Sequence, residues 1–362
     1  MAAEQLVVFV GSYAEAEHDG IYVYTFDENT GGLAKTDAVS GVKNPTFLNI
    51  DRQNLRLYAI GETESADKGR GAEVLAYQID AANSGRLSLI NRSTSVSAPT
   101  CHIMKDERFP ILVVSSYHGG MLGSVSLEED GRIGRLLDAV QHTGSSVHPN
   151  QDKPHLHSAY FSPDGRFIIA QDLGIDRIRT YAIDTASGKL SLQSEAATAP
   201  GAGPRHLAFH PHGEHAFVIN ELNSTITSFA YNSSSGQLTE HETVPTLPSD
   251  FPVAENGCAE IAISADGRYI YGSNRGHDSI VVYAFDAAAG KLTYIEHVSV
   301  EGKHPRHFAL TPNGRYLIAA NRDTNNLVTF HVDQQSGKLT FTGVNVEVSK
   351  PVCVQPVYLA AR

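Results

Sequence analysis

One turn, a glycine two positions before a leucine or isoleucine, recurs along this chain of 362 residues in seven regularly spaced copies: Gly31-Gly-Leu33, Gly85-Arg-Leu87, Gly131-Arg-Ile133, Gly188-Lys-Leu190, Gly236-Gln-Leu238, Gly290-Lys-Leu292 and Gly337-Lys-Leu339. The apolar residue advances by 54, 46, 57, 48, 54 and 47 positions, a mean of 51. Such a period belongs to solenoids, propellers and arrays, where a unit too small to bury its own faces packs against copies of itself. Inside the unit the apolar residues alternate with period two, as in residues 279–285 and 327–332, which excludes a helical solenoid. A second strand precedes each of these, as at 268–273 and 315–320. These two strands are expected to be joined by the turns Asp164-Gly165, Asp266-Gly267 and Asn313-Gly314. A further strand lies ahead of each turn (308–310), and another follows the Gly-x-Leu (292–295).

Four strands in each of seven units predict an all-β, seven-bladed β-propeller of four-stranded blades, one domain over residues 1–362. The first unit lacks an inner strand, because residues 6–10 already match the second strand, whereas 352–359 are left over at the end. That remainder is expected to complete the first blade and close the ring. The absence of Trp argues against the Trp-Asp signature of WD40 scaffolds.

Hydrophobic residues at 41% and charged residues at 19% supply a sizeable core. No apolar run reaches the ~18 residues of a bilayer span, and the opening MAAEQLVVFV has no basic leader, so a cytoplasmic protein without a membrane partner is expected. The net charge of −12 repels polyanions, so no nucleic-acid partner is expected, and an anionic small molecule would need locally placed Arg or Lys. Cys101, Cys258 and Cys353 form no CxxC pair and read as reduced core thiols. Nothing marks an oligomer interface, leaving a monomer as the default.

Aligning the blades on the glycine of the inner turn brings chemistry together. Eight residues before it stand His157, Arg205, Ala259 and Arg306, expected to line the central channel. Seven residues after it come Asp172, Asn220, Asn274 and Asn321, and eight after it Leu173, Glu221, Arg275 and Arg322, both sets expected at the rim. Charged, dissimilar residues at equivalent places of a repeat mark where function is grafted on a scaffold. Arg306 and Arg322 also admit a plainer reading, as ties between blades. His155 and His157, two apart on a strand, share a face and with Glu221 or Asp172 could hold a metal; none is expected, because no other His occupies an inward equivalent position. His142 and His148 fall in a loop and read as surface or lid residues, and Gly69-Arg-Gly71 and Gly119-Gly120 as turns. Loops 63–71, 144–153 and 246–257 would shape the pocket and carry no signature.

The segments PHLHSAYFSPDGR (154–166), GPRHLAFH (203–210), NELNST (220–225), SNRGHDS (273–279) and HPRHF (304–308) resemble, blade by blade over nearly the whole chain, the seven-bladed lactonase family. That family includes the bacterial-type 6-phosphogluconolactonases, the nearer match, and more distantly the carboxy-muconate lactonizing enzymes. The resemblance implies catalytic roles for His157, Arg205, Glu221 and Arg275 and no metal or organic cofactor; the repeat positions and the His-x-His pair put His155, Asp172, Asn274, Arg306 and Arg322 forward as substrate contacts. It implies hydrolysis of an anionic sugar-acid lactone, 6-phosphoglucono-1,5-lactone above all, in the pentose phosphate pathway. Lactone formation on a muconate-like dicarboxylate and a non-catalytic binding platform are the alternatives. Guanidiniums suit an oxyanion, phosphate or carboxylate. A Glu held between two Arg has its pKa lowered, so His157, titrating near neutrality, is the expected general base, with Glu221 as the alternative.

Overall fold

The computed structural model describes residues 4–64 and 69–360; part of the loop at 63–71 therefore lies outside the described residues. Seven four-stranded antiparallel sheets follow one another around a ring, each with its strands in chain order from the channel outward. Blade four shows the plan: Leu156–Phe161 innermost, then Phe167–Asp172, Arg177–Ile183 and Leu190–Ala197. The one exception to chain order is blade one, whose inner strand is Pro351–Ala360, paired with Glu4–Ser12 from Glu4↔Ala360 to Ser12↔Pro351. The leftover segment thus closes the ring as the sequence predicted. Helix among the described residues is confined to two single 3₁₀ turns, Ala81–Asn83 and Val253–Glu255.

The recurring glycine now has a physical reason. All seven sit between third and fourth strands with φ between +66° and +83°, a region costly for any residue bearing a Cβ. The apolar residue two positions on fixes one blade to the one before it. The backbone N–H of Leu87 donates to Asp37 at 2.9 Å, that of Ile133 to Asn91 at 2.9 Å, that of Leu190 to Asp138 at 2.9 Å and that of Leu339 to Glu296 at 2.8 Å. In each case the acceptor lies on the outer strand of the preceding blade.

Apolar burial is shared between neighbouring blades. Tyr271, Ile280 and Val282 of blade six pack with Leu317, Val328 and Phe330 of blade seven, and Leu6, Val8 and Val10 of blade one pack with Tyr316, Ile318 and Ala320 of blade seven. Full burial of each such side chain contributes roughly 1.5–3 kcal/mol, so a blade gains its stability from its neighbours.

One expectation fails. The Asp/Asn-Gly turns join first and second strands, as Asp164-Gly165 does between Phe161 and Phe167, and not second and third. Second and third strands are instead linked by short connections ending in a left-handed residue: Asp176 (φ 53°), Ser224 (φ 56°), Asp278 (φ 53°) and Asn325 (φ 54°). Asn, Asp and Ser tolerate that conformation because their short side chains bond locally. These connections carry the rim residues.

Candidate active site

The inner strands are irregular at one place each. Ladder pairing slips between Leu156 and Ser158, between Pro204 and His206, and between Pro305 and His307, leaving His157, Arg205 and Arg306 as the unpaired residues of β-bulges. A bulge releases its extra residue from the alternation of the strand and re-aims its side chain. In blade six the slip spans Ala259 and Glu260. At the same end, the last pair between second and third strands is five residues apart in blades three to seven: Ser116↔Met121, Asp172↔Arg177, Asn220↔Thr225, Asn274↔Ser279 and Asn321↔Asn326. The next residue in each blade is Tyr117, Leu173, Glu221, Arg275 or Arg322, so bulge and rim positions meet at one mouth of the channel.

Three blades converge there. Glu221 Oε1 lies 3.0 Å from Arg275 Nη2, and its Oε2 lies 3.0 Å from Arg205 Nε, too poorly aligned for a hydrogen bond. Arg205, 2% exposed, also donates from Nη1 to the carbonyl of Ala259 at 2.5 Å. Arg275 donates to the carbonyls of Gly257 at 3.0 Å and Cys258 at 2.7 Å. Burial alone would raise the Glu221 pKa, but Arg275, Arg205 and Arg306 overcome it and hold the carboxyl below its ordinary range. Burial, helped by Arg275 and Arg306, brings Arg205 down to about 10, still charged at neutral pH. Among the described residues no ion pair engages Arg306, whose guanidinium lies over the Tyr13 ring at 5.6 Å.

His157, 4% exposed, packs edge-on against His206 at 5.1 Å, and its Nδ1 is buried without a hydrogen bond. The expectation that it titrates near neutrality is overturned. Desolvation first, then the fields of Arg205, His206, Arg306 and Arg275, push its pKa far below the ordinary value, so the imidazole is neutral. Deeper in the channel, Glu260 Oε2 is shared by His206 Nδ1 at 3.0 Å and His307 Nε2 at 3.1 Å, beside Phe47 and His102.

Other expected site residues are committed elsewhere. Asp172 is fully buried; its Oδ1 accepts from the backbone N–H of His155 and Gly174, and its Oδ2 lies 2.7 Å from His142 Nδ1. His142 is therefore a buried partner of Asp172 and Tyr181, not a lid residue. Asn274 donates to the Thr246 carbonyl at 2.7 Å and accepts from Asn256 at 3.1 Å, and Asn321 donates to the Val300 carbonyl at 2.8 Å. The reason is alternation: neighbouring strand residues point to opposite faces, so one residue reaches the mouth and the one before it pins a loop. Arg322 pairs with Asp323 at 2.6 Å on the outer rim. His155 stacks on Tyr117 at 4.3 Å, with Nδ1 3.0 Å from the Tyr117 carbonyl. Among the described residues no group of three or more His, Cys, Asp or Glu is disposed to hold a metal ion.

Two mouth residues escaped the sequence reading. Tyr117 occupies in blade three the place of Glu221 and Arg275; Cys101, one residue before the His102↔Ser115 pair as His157 is one before Ser158↔Gln171, occupies the place of His157 and Arg205. The Cys101 thiol, 3.1 Å from the His157 carbonyl, is pushed up to about 11 by burial and is no nucleophile. The inner turn of blade three, Asp106-Glu-Arg-Phe109, has no glycine from which to count; counting from its flanking apolar strand would have found both.

A cavity of about 850 Å³ opens at the other end of the channel, lined by Asp51, Lys105, Asp106, Arg108 and Tyr358. Its cations are matched by acids, so the mouth is the stronger candidate.

The chain has known relatives that share this fold. The model of a family described as Lactonase, 7-bladed beta-propeller, matches residues 7–356. A 6-phosphogluconolactonase of Bacillus subtilis is 38% identical over 300 residues, 83% of each chain. A 6-phosphogluconolactonase of Formosa agariphila is 34% identical over 311 residues, 84% of this chain and 86% of the other. The structure of a periplasmic gluconolactonase of Pseudomonas aeruginosa superposes with a TM-score of 0.90 at 30% identity, covering 99% of this chain and all of that one.

Proposed function

The chain belongs to the seven-bladed β-propeller lactonase family, and from that premise we propose that it hydrolyses a phosphorylated sugar-acid lactone, 6-phosphogluconolactone being the substrate that best fits the mouth. The observation that carries this reading is the charge imbalance there: Arg205, Arg275 and Arg306 surround the single carboxylate of Glu221. Even with Glu260 acting on Arg205 from deeper in the channel, cations outnumber carboxylates there in a chain of net charge −12, which favours an anion such as a phosphate monoester.

Each group then has a role. Among the described residues no hydrogen bond engages Nη2 of Arg205 or Nη1 of Arg275, so each guanidinium keeps a terminal nitrogen for the carbonyl oxygen of the lactone. A donor aimed at the developing oxyanion is worth about 10²-fold or more. Glu221, with an Arg at each oxygen, aligns the two guanidiniums. His157, neutral, accepts the proton of the attacking water, a contribution of about 10²–10⁴-fold. The arriving dianion offsets the Arg field that depresses the imidazole, so substrate raises the proton affinity of its own base. Arg306 holds the phosphate. Three free cysteines suit the cytoplasm, where thiols stay reduced.

The test is a comparison of freshly generated 6-phosphogluconolactone with unphosphorylated gluconolactone, spontaneous hydrolysis subtracted. The phosphorylated lactone is expected to have a kcat/KM about 10–100-fold higher, and Arg306→Gln to erase most of that preference by raising KM. Turnover of neither substrate would overturn the proposal, and equal turnover of both would overturn the phosphate assignment.

A further inference from the structure

Opening a lactone ring requires a proton donor as well as an acceptor. When the bond between carbonyl carbon and ring oxygen breaks, the electron pair goes to that oxygen, and an alkoxide is a poor leaving group unless protonated as it departs. His157 is neutral, Glu221 is ionised and guanidiniums hold their protons. Resting on the lactonase reading above, we propose that Tyr117 is a further catalytic residue, the phenol that protonates the departing ring oxygen.

Its position follows from the repeat, since it stands one residue beyond the Ser116↔Met121 pair, as Glu221 stands beyond Asn220↔Thr225 and Arg275 beyond Asn274↔Ser279. Two imidazoles of blade four clamp its ring. His155 stacks on it at 4.3 Å and 19°, and His157 meets it edge-on at 5.6 Å and 77°. The His155 ring is itself anchored, Nδ1 to the Tyr117 carbonyl at 3.0 Å and Nε2 to Asp152 at 3.3 Å. No described residue forms a hydrogen bond with the Tyr117 hydroxyl, which leaves the proton for a ligand. Burial, aided by Glu221 and Cys101 and opposed by Arg205 and Arg275, raises the phenol to about 12. It therefore stays protonated at every working pH, which suits a donor and excludes a base. The phenolate formed on donation lies in the field of Arg205 and Arg275, and the proton that His157 took from water returns to it. The cycle closes with one water consumed and a hydroxy acid released.

The experiment uses Tyr117→Phe in the full chain, with a lactone that the unaltered protein hydrolyses. The expected result is a fall in kcat of about 10²-fold, a KM within about twofold and an unchanged melting temperature. In H₂¹⁸O the variant should return unreacted lactone carrying label in its carbonyl, because the tetrahedral intermediate forms but reverts; the unaltered protein should return unlabelled lactone. A variant with normal kcat, meaning that His157 shuttles the proton alone, overturns the proposal. So does a loss of kcat with no label in the recovered lactone, which would mark a structural role. An unaltered protein that hydrolyses no lactone overturns the activity itself, a failure distinct from an active Tyr117→Phe.

Discussion

The two ends of the channel use the same chemistry to opposite effect. Around the cavity at the inner-turn end the lining cations are paired with acids: Lys105 with Asp51 at 3.2 Å, Arg108 with Asp106 at 3.6 Å and Arg52 with Glu4 at 2.5 Å. At the bulge end Arg205, Arg275 and Arg306 face Glu221. The balanced end encloses about 850 Å³, yet its charges are already satisfied. The unbalanced end holds side chains in a state that only an incoming anion relieves. The mouth is proposed as the site on unmet charge, not on volume.

The comparison can be broken most decisively at the mouth. Arg275→Ala removes both an oxyanion donor and one of the two partners of Glu221, and kcat/KM should fall about 10³-fold. A loss of only a few fold would mean that the imbalance is not catalytic. At the opposite end the effects should reverse. Lys105→Met strands the nearly buried carboxylate of Asp51 and should lower stability by about 1–3 kcal/mol in denaturant melts, with kcat unchanged. Impaired turnover there would show that the two ends are not independent. The smallest effect is a pH shift that sharpens the contrast. A base works unprotonated, so the His157 limb of kcat/KM should fall only toward acid, below the ordinary ~6.5 of an imidazole, with a plateau through neutrality. In kcat, which reports the complex, the limb should move upward because the bound dianion offsets the arginines. A limb at the same pH in both profiles would leave His157 outside the field of the substrate.

The repeat was legible because its glycines answer to local geometry: a left-handed φ is written in sequence wherever the turn occurs, and the leftover last strand told where the ring closes. His157, Arg205, Glu221, Arg275 and Arg306 were legible because blades four to seven carry an inner-turn glycine to count from. Tyr117 and Cys101 were not, because blade three makes that turn without one. Asp172 and Asn274 were misread because counting locates a residue along a strand, while the face it presents depends on neighbouring loops such as those of His142 and Thr246. The proton affinity of His157 could not be read at all. It is set by burial and by guanidiniums from three other blades, and no spacing in one strand encodes a sum of fields.

The clasp between Glu4–Ser12 and Pro351–Ala360 has a bearing on ligand affinity as well as on shape. Arg306, the residue proposed to hold the phosphate, rests on Tyr13 across the seam where blade seven meets blade one. The other groups proposed to act in catalysis ride on blades three to six, away from that seam. Warming or mild denaturant that frays the clasp would therefore blunt the grip on substrate before it scrambled the groups that turn it over, and an ageing sample would first betray itself as an enzyme that needs more substrate rather than one that works more slowly.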